Sequence, residues 1–299
     1  MKLHTCLWND VQAFHFDDVD FDLLRRAIPG LTVVVHANES SLLEQAANVE
    51  AVLTWNFKAA WYQQFTRLKW IMTPAAGKDW VEPDPSGNVK IVHGTFHGKL
   101  LSESLLSALL FMNHQMPKML DNFQQHGWNR DIQSQSTLLS DQTVMIIGFG
   151  HIGQSCAKVL GLLGTRVIGI SRSATPVSFG AEVYGLEVLA DHLPEADHVV
   201  LLLPGGEETD RFMNKTRLAM CKKGAYLYNF GRGNALYSKD LIASWEHLGG
   251  AFLDVTDEEP LPVSSALWAL KNLMITPHSS CIYKSYKEAF LKETLNYLR

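Results

Sequence analysis

The residues of this chain best suited to holding an anion or moving a proton fall in three short stretches. Tyr228-Asn229-Phe230-Gly231-Arg232-Gly233 sets an arginine between glycines, where a guanidinium can either reach a cleft with little crowding or simply stand at the surface. Asp254-Val255-Thr256-Asp257-Glu258-Glu259-Pro260 gathers several carboxylates, which taken alone read as a solvated acidic loop. Thr276-Pro277-His278-Ser279-Ser280 carries a histidine that says little by itself. Yet each stretch closes an apolar run that reads as a strand: Ala225 to Asn229, Gly250 to Asp254 and Leu273 to Thr276. An arginine, a carboxylate and a histidine all placed at strand ends are not independent observations, and together they mark a candidate site for acid–base chemistry.

A fourth stretch supplies the context. From Thr143 to Arg172 an apolar run, Val144 to Ile147, passes into Gly148-Phe149-Gly150-His151-Ile152-Gly153, then into a helix-spaced segment through Leu163 and a second apolar run, Thr165 to Ile170. Strand, glycine turn, helix and strand in this order form a dinucleotide fingerprint. Gly148 permits the tight turn, Gly150 lets a pyrophosphate approach the backbone, and Gly153 lets the helix pack on the strand, with amides of the helix N-terminus facing the phosphates. The second strand ends Gly169-Ile170-Ser171-Arg172-Ser173, with no carboxylate until Glu182. An adenosine ribose diol calls for an acidic residue there; two hydroxyls and a guanidinium suit a 2′-phosphate. NADP(H) is therefore the expected cofactor, with NAD(H) possible. Arg172 stacking on adenine or facing solvent is the competing reading.

These motifs need a frame to hold them. The chain has 299 residues, enough for two domains, and a formal net charge of −5 with no long charge runs, which gives no electrostatic reason to expect nucleic acid or an anionic membrane. Its N-terminus lacks a sustained apolar core and no run approaches membrane-spanning length, so the expected location is the cytoplasm. Cys6, Cys156, Cys221 and Cys281 stand singly, which indicates neither a disulfide framework nor a cysteine zinc site; no metal is expected. In the first hundred residues Leu3 to Leu7, Thr32 to Val35, Ala51 to Thr54, Trp70 to Met72 and Val89 to Val92 read as strands between helix-spaced segments. Strands apolar on both faces imply a parallel sheet covered by helices, so one doubly wound α/β domain precedes another. Between them, Gly98 to His126 reads as a long helix that Pro117 bends or breaks. Its apolar band of Leu100, Leu101, Leu105, Leu109, Leu110 and Met112 suits a crossover or a subunit contact better than a site.

Taken in order, GFGHIG, the LLLP at 201 to 204, the NFGRG at 229 to 233, the DVTDEEP at 254 to 260 and the TPHSS at 276 to 280 resemble the D-isomer-specific 2-hydroxyacid dehydrogenase family, over nearly the whole chain. The chain is most similar to its glyoxylate and hydroxypyruvate reductase branch. The resemblance implies a Rossmann NAD(P)-binding domain, 99–284, inserted into a flavodoxin-like substrate domain, 1–98, with a terminal helix, 285–299, returning to the latter. It implies a homodimer joined through the cofactor domain, chiefly by Leu100 to Met112. It also implies that His278 donates a proton to the developing alkoxide of a small 2-keto acid. Glu259 would fix the imidazole tautomer and favour imidazolium, while Arg232 holds the substrate carboxylate and polarises its carbonyl. Leu203, Pro204, Phe230 and Asp254 join His151, Ile152 and the fingerprint glycines as expected cofactor contacts. Ala76 and Gly77 in Thr73-Pro74-Ala75-Ala76-Gly77-Lys78-Asp79 are expected to bind the substrate carboxylate through their amides. Trp55 is expected either as a specificity wall or as ordinary packing. Lys78, and Ser104 where a histidine is usual, depart from the family pattern. An NAD-linked enzyme working oxidatively, or a dinucleotide-sensing interaction protein, are the alternative readings.

Overall fold

In a computed structural model, which describes residues 1–298, the chain divides into two units: Met1–His97 together with the segment from Cys281, and Gly98–Ser280. The first holds five parallel strands, β1 (Lys2–Cys6), β2 (Thr32–Val35), β3 (Ala51–Thr54), β4 (Trp70–Thr73) and β5 (Lys90–His93), in the order β2-β1-β3-β4-β5. Every residue of β3 is buried, as a central strand covered on both faces requires. Phe57, Trp61, Phe65, Ile71 and Leu42 fill one side of this sheet. Short helices α1 (Asp22–Ala27) and α2 (Glu39–Leu43) fall between strands. The strand order is that of flavodoxin-like folds.

The segment 98–280 opens with most of a long helix, α3 (His97–Asn113), followed by α4 (Met116–Gln124). The break lies at Gln115, which takes a left-handed backbone (φ 56, ψ 30) while its Nε2 donates to the Tyr226 hydroxyl at 3.0 Å. Pro117 is in the first turn of α4, where its missing N–H costs nothing, so it starts a helix rather than breaking one. Leu100, Leu101, Leu105, Leu109 and Met112 are all buried, and of the apolar band only Leu110 is exposed, at 37%. The band is thus covered within one chain, and its hydrophobicity is no argument for a subunit contact.

Seven parallel strands follow: β6 (Thr143–Ile147), β7 (Arg166–Ile170), β8 (Glu182–Tyr184), β9 (His198–Leu201), β10 (Tyr226–Asn229), β11 (Gly250–Leu253) and β12 (Leu273–Ile275), ordered β12-β11-β10-β9-β6-β7-β8. The order reverses between β6 and β9, the doubly wound arrangement of a Rossmann sheet, which places ligands beyond the C-terminal strand ends at that reversal. Helices α5 (His151–Leu162), α6 (Leu189–His192), α7 (Lys215–Met220) and α8 (Ser238–Ala243) cover it, and α9 (Tyr286–Leu298) belongs to the first unit. Both domains are parallel α/β sheets, as the apolar runs imply. β8 is the strand those runs do not show, because its three half-buried residues include Glu182. Among the described residues no helix is long and apolar enough to cross a membrane.

Candidate active site

Arg232 owes its position to its neighbours. A Cβ on Gly231 would stand 2.5 Å from the Leu203 carbonyl oxygen, and one on Gly233 would stand 1.7 Å from that of Thr256. Only glycines let this turn slot between the loops that leave β9 and β11, and the arginine between them is held half-buried at the end of β10. Asn229 closes the turn, its Oδ1 accepting from the Gly231 amide at 3.1 Å and its Nδ2 donating to the Arg232 carbonyl at 3.2 Å.

His278 follows β12 in a left-handed backbone conformation (φ 49) that few non-glycine residues adopt. Asp254 holds it there. This carboxylate, at the end of β11 and 2% exposed, accepts from the Thr276 hydroxyl at 2.7 Å and from the Ser279 and Ser280 amides at 2.8 and 3.1 Å. Its carbonyl accepts the His278 amide at 2.8 Å. Asp254 is expected from the sequence as a cofactor contact; in the structure its side chain holds the histidine loop. Glu259 meets the ring: its Oε2 is 2.9 Å from His278 Nδ1, and its Oε1 accepts the Thr256 amide at 3.1 Å. Burial alone would push the Glu259 carboxyl up. The hydrogen bond and charge of His278, the Thr256 amide and the charge of Arg232 overcome that and hold it below the usual carboxylate range.

A cavity of about 630 Å³ opens here, and Arg232, Glu259 and His278 all line it. Gly205, Gly206, Asp210, Asn234 and Asp257 complete much of the wall. Sequence reasoning missed these residues, though Gly205 and Gly206 directly follow the LLLP stretch. An arginine facing an imidazole whose Nδ1 is committed to a carboxylate can hold an anion while Nε2 gives or takes a proton.

The glycine turn occupies the end of β6. Gly148 has φ 98, and a Cβ there would lie 2.4 Å from the Leu202 carbonyl oxygen; Gly153 is buried, with Gly148 O only 2.8 Å from where a Cβ would be. Gly150, at the N-cap of α5, has nothing within 4 Å of a Cβ position, so space is open where a pyrophosphate would lie against the helix amides. The residues present therefore fit a dinucleotide. His151 is exposed and Ile152 half-buried in the first turn of α5. Leu203 is buried, Pro204 exposed, and Phe230 is packed on Phe252 with ring centroids 5.5 Å apart. After β7, Ser171 Oγ accepts the Ala174 amide at 3.2 Å and Ser173 Oγ accepts from the Thr175 hydroxyl at 3.0 Å. Arg172 is 76% exposed and its Nη1 donates to Glu208 Oε2 at 2.7 Å. Glu208, 36 residues further along the chain, thus brings a carboxylate to Arg172 in space. Glu182, the first acidic residue after β7, is turned to Arg166 at 2.7 Å.

In the first unit Trp55 is 7% exposed, and its Nε1 donates to the Phe14 carbonyl at 3.2 Å. It stacks near Tyr286 at 6.4 Å, so ordinary packing accounts for most of its surface. Ala76 and Gly77 are half-buried beyond β4, Lys78 is exposed, and Thr73 Oγ1 fixes the loop by accepting the Ala75 amide at 3.2 Å.

Known proteins resemble this chain in sequence and in fold. A glyoxylate reductase of Thermococcus kodakarensis is 39% identical over 142 residues, which cover 46% of this chain and 41% of that protein. A glyoxylate/hydroxypyruvate reductase B of Serratia proteamaculans is 27% identical over 291 residues, 93% of this chain and 88% of that one. Over their matched regions, the chain spans about half the length of several curated relatives, from 41% to 49%. The crystal structure of a D-isomer specific 2-hydroxyacid dehydrogenase of Xanthobacter autotrophicus, in complex with NADPH and MES, superimposes with a TM-score of 0.82 at 27% identity, covering 100% of this chain and 94% of that one. The family model for the D-isomer specific 2-hydroxyacid dehydrogenase NAD binding domain matches residues 106–280, the stretch that carries the glycine turn, the arginine loop and the histidine loop. With more than half of its length matched in this way, the chain belongs to the D-isomer-specific 2-hydroxyacid dehydrogenase family.

Proposed function

We propose that this protein reduces a small 2-keto acid, of glyoxylate or hydroxypyruvate type, to the D-2-hydroxy acid. The observation that carries the proposal is the single cavity onto which Arg232 and the His278–Glu259 pair all open. When bound, a reduced nicotinamide dinucleotide supplies the hydride. The Arg232 fork binds the substrate carboxylate and polarises the carbonyl, which lysine's point charge does less well. Glu259 keeps a proton on Nδ1 and orients the ring, so the proton transferred to the alkoxide oxygen leaves from Nε2 of the imidazolium. The Ala76 and Gly77 amides, which have no acceptor among the described residues, offer further donors to a carboxylate. Oxidation of reduced cofactor by the full chain with glyoxylate or hydroxypyruvate, followed at 340 nm with chiral assay of the product, tests the reading. An absence of turnover over a series of small 2-keto acids would favour a dinucleotide-binding interaction protein instead.

NADPH is the preferred cofactor in this proposal, on the strength of Ser171, Arg172 and Ser173. The Arg172–Glu208 pair favours a second reading, in which NADH is also used, because a 2′-phosphate must displace or tolerate that carboxylate. The ratio of kcat/KM for the two cofactors separates these readings. The proposal includes a cytoplasmic homodimer.

A further inference from the structure

The first unit has a cavity of its own, about 500 Å³ in volume, at the C-terminal ends of β1 and β3 and beside the N-terminus of α2. In the order β2-β1-β3-β4-β5 the connections diverge between β1 and β3, and this crevice is where an open parallel sheet forms a ligand site. Its walls include Trp8, Trp55 and Trp80, and its polar groups include Asp10 and Glu39. No lysine, arginine or histidine is among the lining residues.

Part of the wall is anchored by hydrogen bonds. Trp55 is anchored through its indole N–H to Phe14, and the Trp80 carbonyl accepts the Phe57 amide at 3.1 Å. The two rings lie 6.2 Å apart, inclined at 56°, which makes a concave aromatic corner. Trp8 and Trp80 nevertheless remain 55% and 39% exposed. Asn38 caps α2 by accepting the Ser41 amide at 3.0 Å, which sets Glu39 in the first turn, and Asn56 Nδ2 donates to Glu39 at 3.4 Å. Two carboxylates without a lining counter-cation repel the carboxylate of a 2-keto acid, so this crevice is not suited to the substrate proposed above. Indole faces with nearby negative charge attract a weakly hydrated organic cation.

We propose that this crevice binds a small organic ammonium ion, held against the exposed indoles of Trp8 and Trp80, with the buried Trp55 backing them, and neutralised by Asp10 and Glu39. The proposal stands independently of the reductase reading. Choline is the probe, titrated into the full chain at constant ionic strength and followed by calorimetry and tryptophan fluorescence. Its neutral isostere 3,3-dimethylbutan-1-ol and glucose serve as controls. Saturable choline binding in the millimolar range is expected, at least tenfold tighter than the isostere. Trp8→Leu should weaken it fivefold or more, as should Asp10→Asn with Glu39→Gln, with circular dichroism showing the variants folded. His278→Gln should bind choline as the parent does. No saturable choline binding, equal binding of the isostere, preferential binding of glucose, or an unchanged affinity in the folded Asp10→Asn/Glu39→Gln variant would each overturn the proposal.

Discussion

His278 keeps a backbone conformation that costs a non-glycine residue of order 1 kcal/mol or more, and the Asp254 carboxylate beneath it supplies the hydrogen bonds that hold it there. Replacing the imidazole with an amide, His278→Gln, should lower kcat roughly a hundredfold while cofactor affinity measured by fluorescence stays near that of the parent. Near-parental turnover would remove the histidine from the chemistry. Asp254→Asn keeps the volume but turns an acceptor oxygen into a donor facing amide N–H groups; kcat should fall at least tenfold, with its pH profile altered. Arg232→Lys keeps the charge without the fork, so KM should rise and kcat fall together; a change confined to cofactor affinity would make Arg232 a cofactor residue instead. For Arg172 the neighbouring carboxylate alters the expectation. Arg172→Ala should weaken NADPH about tenfold or more and leave NADH nearly unchanged, whereas Glu208→Gln should tighten NADPH a few-fold, the scale of an exposed ion pair. Equal loss of both cofactors in Arg172→Ala would refute the phosphate role.

Elements differ in how plainly the sequence announces them, and the differences have physical reasons. β6 and β9 are buried along their whole length, so each shows as an uninterrupted apolar run, or nearly so. β8 lies at the sheet edge with Glu182 paired to Arg166, a polar pattern that periodicity does not detect. The break at Gln115 depends on a hydrogen bond to Tyr226, and the Arg172–Glu208 contact joins residues 36 apart; neither leaves a local trace. At the site, the arginine, glutamate and histidine were readable as strand-end residues, whereas the cavity wall at Asn234 and Asp257 needed the fold. The glycine turn after β10 is the element most sensitive to substitution. Gly233→Ala would drive a methyl into the Thr256 carbonyl, so the loops bearing Arg232 and Glu259 must part. The melting temperature should drop by several degrees and kcat/KM should fall with it, whereas unchanged activity would mean the β11 loop yields freely.

For the molecule as a whole, two buried histidines set a limit on acid tolerance. Burial pushes His198 down to about 4 and, aided by the charge of His36, His4 to about 4, from an ordinary value of 6.5. Between those values the unfolded chain binds protons that the folded chain does not, so stability is fully present above pH 6.5 and is lost as pH falls toward 4. Urea midpoints measured from pH 7.5 to 4.5 should fall accordingly, and less steeply in His198→Gln. A dimer contact, with α3 already covered, is better sought at Phe123, Trp128 and Leu138, which are 76%, 89% and 68% exposed. Phe123→Ser with Trp128→Ser should turn a dimer into a monomer by light scattering; a parent that is already monomeric would exclude the dimer. The division of the chain has a consequence for its synthesis. The span 98–280 is continuous and leaves the ribosome with its whole sheet, but the other unit draws on both early and late sequence. Phe290 and Leu291 of α9 are buried in it, and Glu293 accepts from the Thr95 and Phe96 amides. Until α9 emerges, the nascent first unit keeps Phe16 without the cover that Phe290 gives it, whereas the span 98–280 needs no later segment to complete its sheet.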